Sequence, residues 1–292
     1  MTKRPLLTEI AESTSEGDVA ALYARIRATL GIPFVGLIYR TLAAEPGRLA
    51  LVWAQLEPFF AHPDTREAAA TLDPGVEPIP ASAGVGEPAI DLSPEYAARA
   101  AATLAAYDHM NRLNLMGMSA LLHPDRAHSR STRSALTPIA ARWSSDDLLP
   151  MTDPSTLQGE DRDLLLQISE KILPGTGPIL VPSLLRHFAG PGLLAQLWTS
   201  IRPAVDSVQF KVATEDLRRQ AAEVPTPAGL RLQRPADAAI LETCARFEVA
   251  TSTMIVMGAL LGRALGLPAR GATELGDRRQ PFRPRLGPTG NA

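Results

Sequence analysis

The chain has 292 residues, 45% of them hydrophobic, with 29 Lys and Arg against 31 Asp and Glu and a formal charge of −2. That length buries a sizeable core without staples, and the dispersed, nearly balanced charge argues against a nucleic-acid or anionic-membrane partner. A single cysteine, Cys244, excludes an intramolecular disulfide framework and any paired-cysteine redox or zinc site.

In chain order, the N-terminus turns polar and acidic after Leu6 and Leu7, without the apolar run of a signal peptide, and residues 1–17 read as a loose lead-in. Val19, Leu22, Ile26 and Leu30 have helical spacing, with Asp18 as a cap and Gly31-Ile32-Pro33 as a stop. A short helix over 34–42 ends before Glu45-Pro46-Gly47, and a third carries Leu49, Val52, Trp53, Leu56 and Phe60 on one face. Residues 62–92, rich in Pro, Gly and Ala, predict a mobile connection around a short helix near 66–72.

Ser93-Pro94-Glu95 is a clear helix start. The helix running to 122 carries Tyr96, Ala100, Leu104, Tyr107, Leu115, Met118 and Leu122 on one stripe, and Asn111 falls on that stripe. A polar amide aimed at the core must be hydrogen-bonded or meet a ligand. Residues 123–159 are polar and form the linker. Helices follow at about 160–173, 181–189, 192–204, 209–222 and 236–265, and the Arg/Pro/Gly tail, 269–292, is expected to be disordered. The longest apolar run, 254–261, is too short to span a bilayer, so no membrane partner is expected and the location is expected to be cytoplasmic.

No segment alternates as a strand would, so the fold class is all-α. Within it, residues 31–60 are written twice. A shift of 145 residues places Pro46, Gly47, Leu49, Ala50, Trp53 and Pro58 on Pro191, Gly192, Leu194, Ala195, Trp198 and Pro203, and one residue of slack brings Arg40 onto Arg186. Residues 97–122 and 236–261 extend the pairing, both closing on Met-x-Ala-Leu-Leu. The expected organisation is helical repeat 1 over 18–122 and helical repeat 2 over 160–268, packed as a pseudo-dimer with a site at their junction. Further association as a homodimer is compatible with this plan.

Familiar catalytic signatures are missing from the sequence. Gly84-Val85-Gly86 and Pro174-Gly175-Thr176-Gly177-Pro178 do not form a phosphate loop, and there is neither a Gly-x-Ser-x-Gly elbow nor an HExxH pair. His123, Asp125 and His128 lie close together, but a Pro- and Arg-containing linker reads as a solvated loop, and no metal is expected.

The stretch Gly-Ile-Pro-Phe-Val-Gly-Leu-Ile-Tyr-Arg-x-Leu-Ala-x-x-Pro-Gly-x-Leu, its Trp53, and the helix with Tyr107 and Asn111 resemble the group I 2-haloacid dehalogenases. The resemblance spans most of 18–265. It implies an all-helical, internally duplicated fold related to the alkylhydroperoxidase-D-like architecture, although that enzyme class needs a cysteine pair. It also implies hydrolytic removal of halide from a small 2-haloalkanoic acid without a cofactor, a carboxylate and an asparagine positioning the water that attacks carbon directly. Asn111 matches the asparagine, and Phe34 and Leu37 match the substrate pocket's wall. The aspartate is not matched: its position falls between Val181 and Leu184, where no carboxylate stands.

Given that departure, His187 is the substitute base the sequence offers, since a neutral imidazole is a competent base near pH 7. Ser183, Leu184 and Tyr107 complete the expected substrate-binding set. The alternatives are a non-catalytic protein holding a small apolar ligand in the same pseudo-dimeric shell, and different chemistry on a larger apolar substrate. Arg40 and Arg186 read either as receivers of an anion or as structural caps.

Overall fold

The computed structural model describes residues 4–77, 79, 92–129, 141–175, 177–190 and 192–267. Among these, ten α-helices and no strands occur, with two isolated bridges, Leu6 to Ile179 and His128 to Thr226. The fold is all-α, as the periodicity predicts. The expected tail, 269–292, lies outside the described residues.

Two long helices form the axis. α5 (Pro94–Leu122) starts where Ser93 accepts a hydrogen bond from the Tyr96 amide with proline in the first turn, and α10 (Ala238–Ala264) starts at Asp237, which accepts from the Ala239 amide. They make the most extensive helix–helix contact in the molecule. α5 is buried on every face from Met110 to Leu122, as α10 is from Ala250 to Met257, which is how a helix looks when neighbours surround it. By length and composition α10 could cross a membrane, with a mean hydropathy of 1.4 over its most apolar window, but 67% of that window is buried inside the fold. Its apolarity is accounted for by core packing.

On one side lie α1 (Gly17–Leu30), α2 (Leu37–Ala43), α3 (Arg48–Ala61) and α4 (Pro63–Thr71); on the other, α6 (Gly159–Ile172), α7 (Ser183–Arg186), α8 (Leu193–Val205) and α9 (Val208–Glu223). Matched positions share local geometry. Gly47 caps α3 with φ 79° and ψ −19°, and Gly192 caps α8 with φ 70° and ψ −13°, a left-handed conformation that a side chain would strain. Arg40 lies in the last turn of α2 and Arg186 ends α7, and both are buried. The matching is not complete: Trp53 is fully buried, whereas Trp198 is only half-buried.

Two expectations need correction. The helix over 181–189 contracts to α7, Ser183–Arg186, because His187 and Phe188 bond back three residues to Leu184 and Leu185, tightening and ending the turn. The lead-in is pinned rather than loose. Ile179 donates to the Pro5 carbonyl, Leu7 donates to Ile179, Ile10 donates to Arg40, and the Tyr23 hydroxyl donates to Ile10. The later part of the linker is also pinned, because Leu148 and Leu149 are buried, Arg99 holds the Leu148 carbonyl, and the Leu149 amide donates to Thr103 Oγ1.

Close approach of α3 to α5 depends on Gly117. A Cβ there would sit 2.5 Å from Phe60 Cζ and 3.1 Å from Leu56 Cδ2, and both side chains are fully buried. Gly117→Ala is therefore expected to destabilise the fold by about 1–3 kcal/mol despite alanine's better helix propensity. Urea unfolding checks it; an unchanged or higher midpoint would show that the crossing relaxes freely.

Candidate active site

Where α5 and α10 meet α2 and α7, a cavity of about 40 Å³ remains. α2 contributes Leu37 and Ile38; α5 contributes Tyr107, Met110, Asn111 and Asn114. The segment entering α7 contributes Leu180, Pro182, Ser183 and Leu184, and α10 contributes Phe247, Ala250, Thr251 and Met254. The volume suits a few waters, each needing roughly 10–15 Å³, so any larger molecule requires side chains to move. Met110 and Met254, with flexible thioethers, are the ones best able to yield.

Leu37, Ile38 and Asn111 from the first segments and Ser183, Leu184 and Ala250 from the later ones all line the cavity.

Of the five residues expected to bind substrate, Leu37, Tyr107, Ser183 and Leu184 line the cavity, as does Asn111. Phe34 stands one layer back, its ring stacked on Tyr107 with centroids 4.5 Å apart. His187 is also behind Tyr107: its Nε2 lies 3.1 Å from the tyrosine hydroxyl and its Nδ1 lies 2.6 Å from the Leu149 carbonyl. A carbonyl only accepts, so Nδ1 carries the proton, and Nε2 accepts from the Tyr107 hydroxyl. His187 therefore reaches the cavity only through that hydroxyl.

Burial pushes the His187 pKa down to about 4. The imidazole is neutral at pH 7, and protonation must break its place in the fold. Since its folded pKa lies below the ordinary 6.5, its contribution to stability is complete above about 6.5 and is lost as pH falls through about 4. Unfolding free energy is expected to drop between those values, and His187→Gln is expected to flatten that slope; identical slopes for both proteins would contradict the assignment. Burial likewise raises the Tyr107 hydroxyl's pKa, keeping it neutral.

Asn111 is 7% exposed and makes no side-chain hydrogen bond to a described residue, so its amide is free to hold a cavity molecule. Asn114, one turn on, is committed: its Oδ1 accepts from the buried Tyr39 hydroxyl at 2.5 Å. Ser183 Oγ accepts from Arg40 Nη2 at 2.7 Å, and its hydroxyl also interacts with that of Tyr107. Among the described residues lining the cavity Tyr107 is the one titratable side chain, and none is a carboxylate. Cys244 lies elsewhere in the core with its pKa pushed up to about 12 by burial, and is inert.

Sequence reading missed Asn114, Met110 and the whole α10 wall. Spacing could have flagged Asn114, three residues beyond Asn111, and Phe247, Thr251 and Met254, which recur at helical intervals. Of the His123, Asp125 and His128 group, His128 Nε2 lies on the Leu230 carbonyl, and among the described residues no group of three His, Cys, Asp or Glu side chains could hold a metal.

This arrangement of helices is that of the D-2-haloacid dehalogenases. A solved structure of a D-2-haloacid dehalogenase mutant matches with a TM-score of 0.72 and 16% identity over 90% of this chain and 98% of that one. A mutant in complex with D-2-CPA matches at 0.69, and a D-2-haloacid dehalogenase in complex with L-LA at 0.70, with the same identity and coverage. No protein-family model matches the sequence, nor does any curated protein. The likeness defines the fold.

Proposed function

We propose that the chain is a slow 2-haloacid dehalogenase-like hydrolase acting on a small 2-haloalkanoic acid in the α5–α10 cavity. The observation that carries this reading is the Asn111 amide, buried against the cavity and without a side-chain hydrogen bond to a described residue. It orients a water toward the carbon bearing the halogen. As the water oxygen attacks, one of its protons passes to the Tyr107 oxygen while the Tyr107 hydroxyl proton passes to His187 Nε2. Halide leaves with the bonding pair, and the carbon inverts to the 2-hydroxy acid. The Ser183 hydroxyl and the Leu37 and Leu184 side chains hold the acid in place. A base with a pKa of about 4 is poorly matched to neutral pH, so turnover is slow.

Binding of a small ligand without turnover is the second reading, favoured by the missing carboxylate and the mainly apolar lining. Halide release from each enantiomer of 2-chloropropionate separates the two. Slow release is expected from the wild type, with at least about a hundredfold loss in Asn111→Ala. Binding of the acid without halide release would favour the second reading, and neither binding nor release would sink both.

A further inference from the structure

Of the hydroxyl side chains on α10, Thr243, Ser252 and Thr253 close back onto their own helix. Thr243 Oγ1 donates to the Ala239 carbonyl at 2.8 Å, and Ser252 Oγ and Thr253 Oγ1 both donate to the Val249 carbonyl, at 2.9 and 2.8 Å. That is the ordinary way a helix satisfies a hydroxyl. Thr251 departs from it. This residue is 6% exposed, lines the cavity, and makes no side-chain hydrogen bond to a described residue. A buried hydroxyl left open destabilises the fold, and a molecule in the cavity that bonds to it removes the penalty.

Asn111 is in the same condition on α5. The other polar groups of the wall are committed. Asn114 Oδ1 accepts from Tyr39, and its Nδ2 lies against Gly36, 3.4 Å from where a Cβ would stand. Ser183 is engaged by Arg40 and Tyr107, and the Tyr107 hydroxyl donates to His187. Thr251 and Asn111 are thus the open polar side chains among the described residues lining the cavity, one from each long helix, and most of the remaining wall is apolar. A buried water needs two to four polar partners. An amide and a hydroxyl together can both accept from an O–H group and donate to its oxygen.

We propose that Asn111 and Thr251 form a two-point site for one hydroxyl oxygen, and that Thr251 is the positioning residue that fixes where this oxygen stands. The inference rests on the ligand site proposed above but not on halide release. In the hydrolase reading the oxygen belongs to the attacking water before the carbon inverts and to the 2-hydroxyl group afterwards. The ligand's carboxylate has no part in the contact. Two acids of equal charge are therefore told apart by the hydroxyl alone.

Calorimetric titration with each enantiomer of lactate and with propionate tests this directly. All three carry one carboxylate, so the affinity ratio isolates the hydroxyl. Wild type is expected to bind its preferred lactate enantiomer about tenfold more tightly than propionate. Thr251→Val, which keeps the branched shape without the hydroxyl, is expected to bring that ratio to about twofold or less with propionate affinity unchanged. Thr251→Ser, which keeps the hydroxyl, is expected to retain most of the preference. Equal affinities in the wild type, no lactate binding, or a ratio unmoved by Thr251→Val would each overturn the proposal. So would an equal loss of both ligands in Thr251→Val, which would mark a packing role. If Thr251→Val does not fold, Thr251→Ala carries the same comparison. Lactate preference with no halide release would refute the hydrolase reading and leave this one standing; halide release with no lactate preference would do the reverse.

Discussion

Leu184→Asp is expected to raise halide release from 2-chloropropionate by about 10² to 10⁴ over the wild type. The resemblance implies a carboxylate between Val181 and Leu184, and of those positions Leu184 is the one open to exchange. Val181 does not line the cavity, Pro182 occupies the cap of α7, and Ser183 Oγ is engaged by Arg40. Leu184 lines the cavity, is 1% exposed and contacts no polar group that its loss would orphan. Aspartate is smaller than leucine, so it fits, although the lost apolar contact costs about 2–4 kcal/mol.

An aspartate in an apolar wall tends to stay protonated. Here the Arg40 and Arg186 guanidiniums one layer back favour the ionised, proton-accepting form. The control is Leu184→Asn, which has nearly the same shape and no base. Equal rates for the two variants would show that position 184 cannot supply the proton acceptor.

Glu9 Oε1 lies 3.1 Å from Arg186 Nη1, and Glu9 Oε2 lies 3.0 Å from Arg40 Nε. Glu9→Ala is expected to cost about 3–5 kcal/mol of stability, because it strands two buried guanidiniums together. Guanidinium chloride unfolding should show a lower midpoint with an unchanged slope. Glu57→Ala, which removes a partner from the exposed Arg25, is the comparison, and its effect should be small because solvent screens that pair. A Glu9→Ala midpoint no lower than that of Glu57→Ala would mean that the N-terminal segment does not clamp the two sides of the molecule.

Much of the architecture was legible in the chain. Period-3.6 stripes located the helices, and Ser93-Pro94 marked the start of α5. These features are local, so neighbouring residues encode them. Asn111 was legible for a related reason: a polar residue on an apolar stripe must be satisfied somewhere.

What the sequence by itself determined, then, is the helical class and the polar residue aimed at the core. Only the tertiary structure decided which residues share the cavity, since Ser183, Asn111 and Thr251 are brought together by helices distant in the chain. It also turned His187 away behind Tyr107, because the Leu149 carbonyl that fixes its tautomer comes from the linker between the halves. The clasp of Glu9 on Arg40 and Arg186 is likewise tertiary. Ion pairing has no periodicity along a chain: a lone glutamate in a polar lead-in carries no mark of its partners until folding removes the water that would otherwise solvate all three charges.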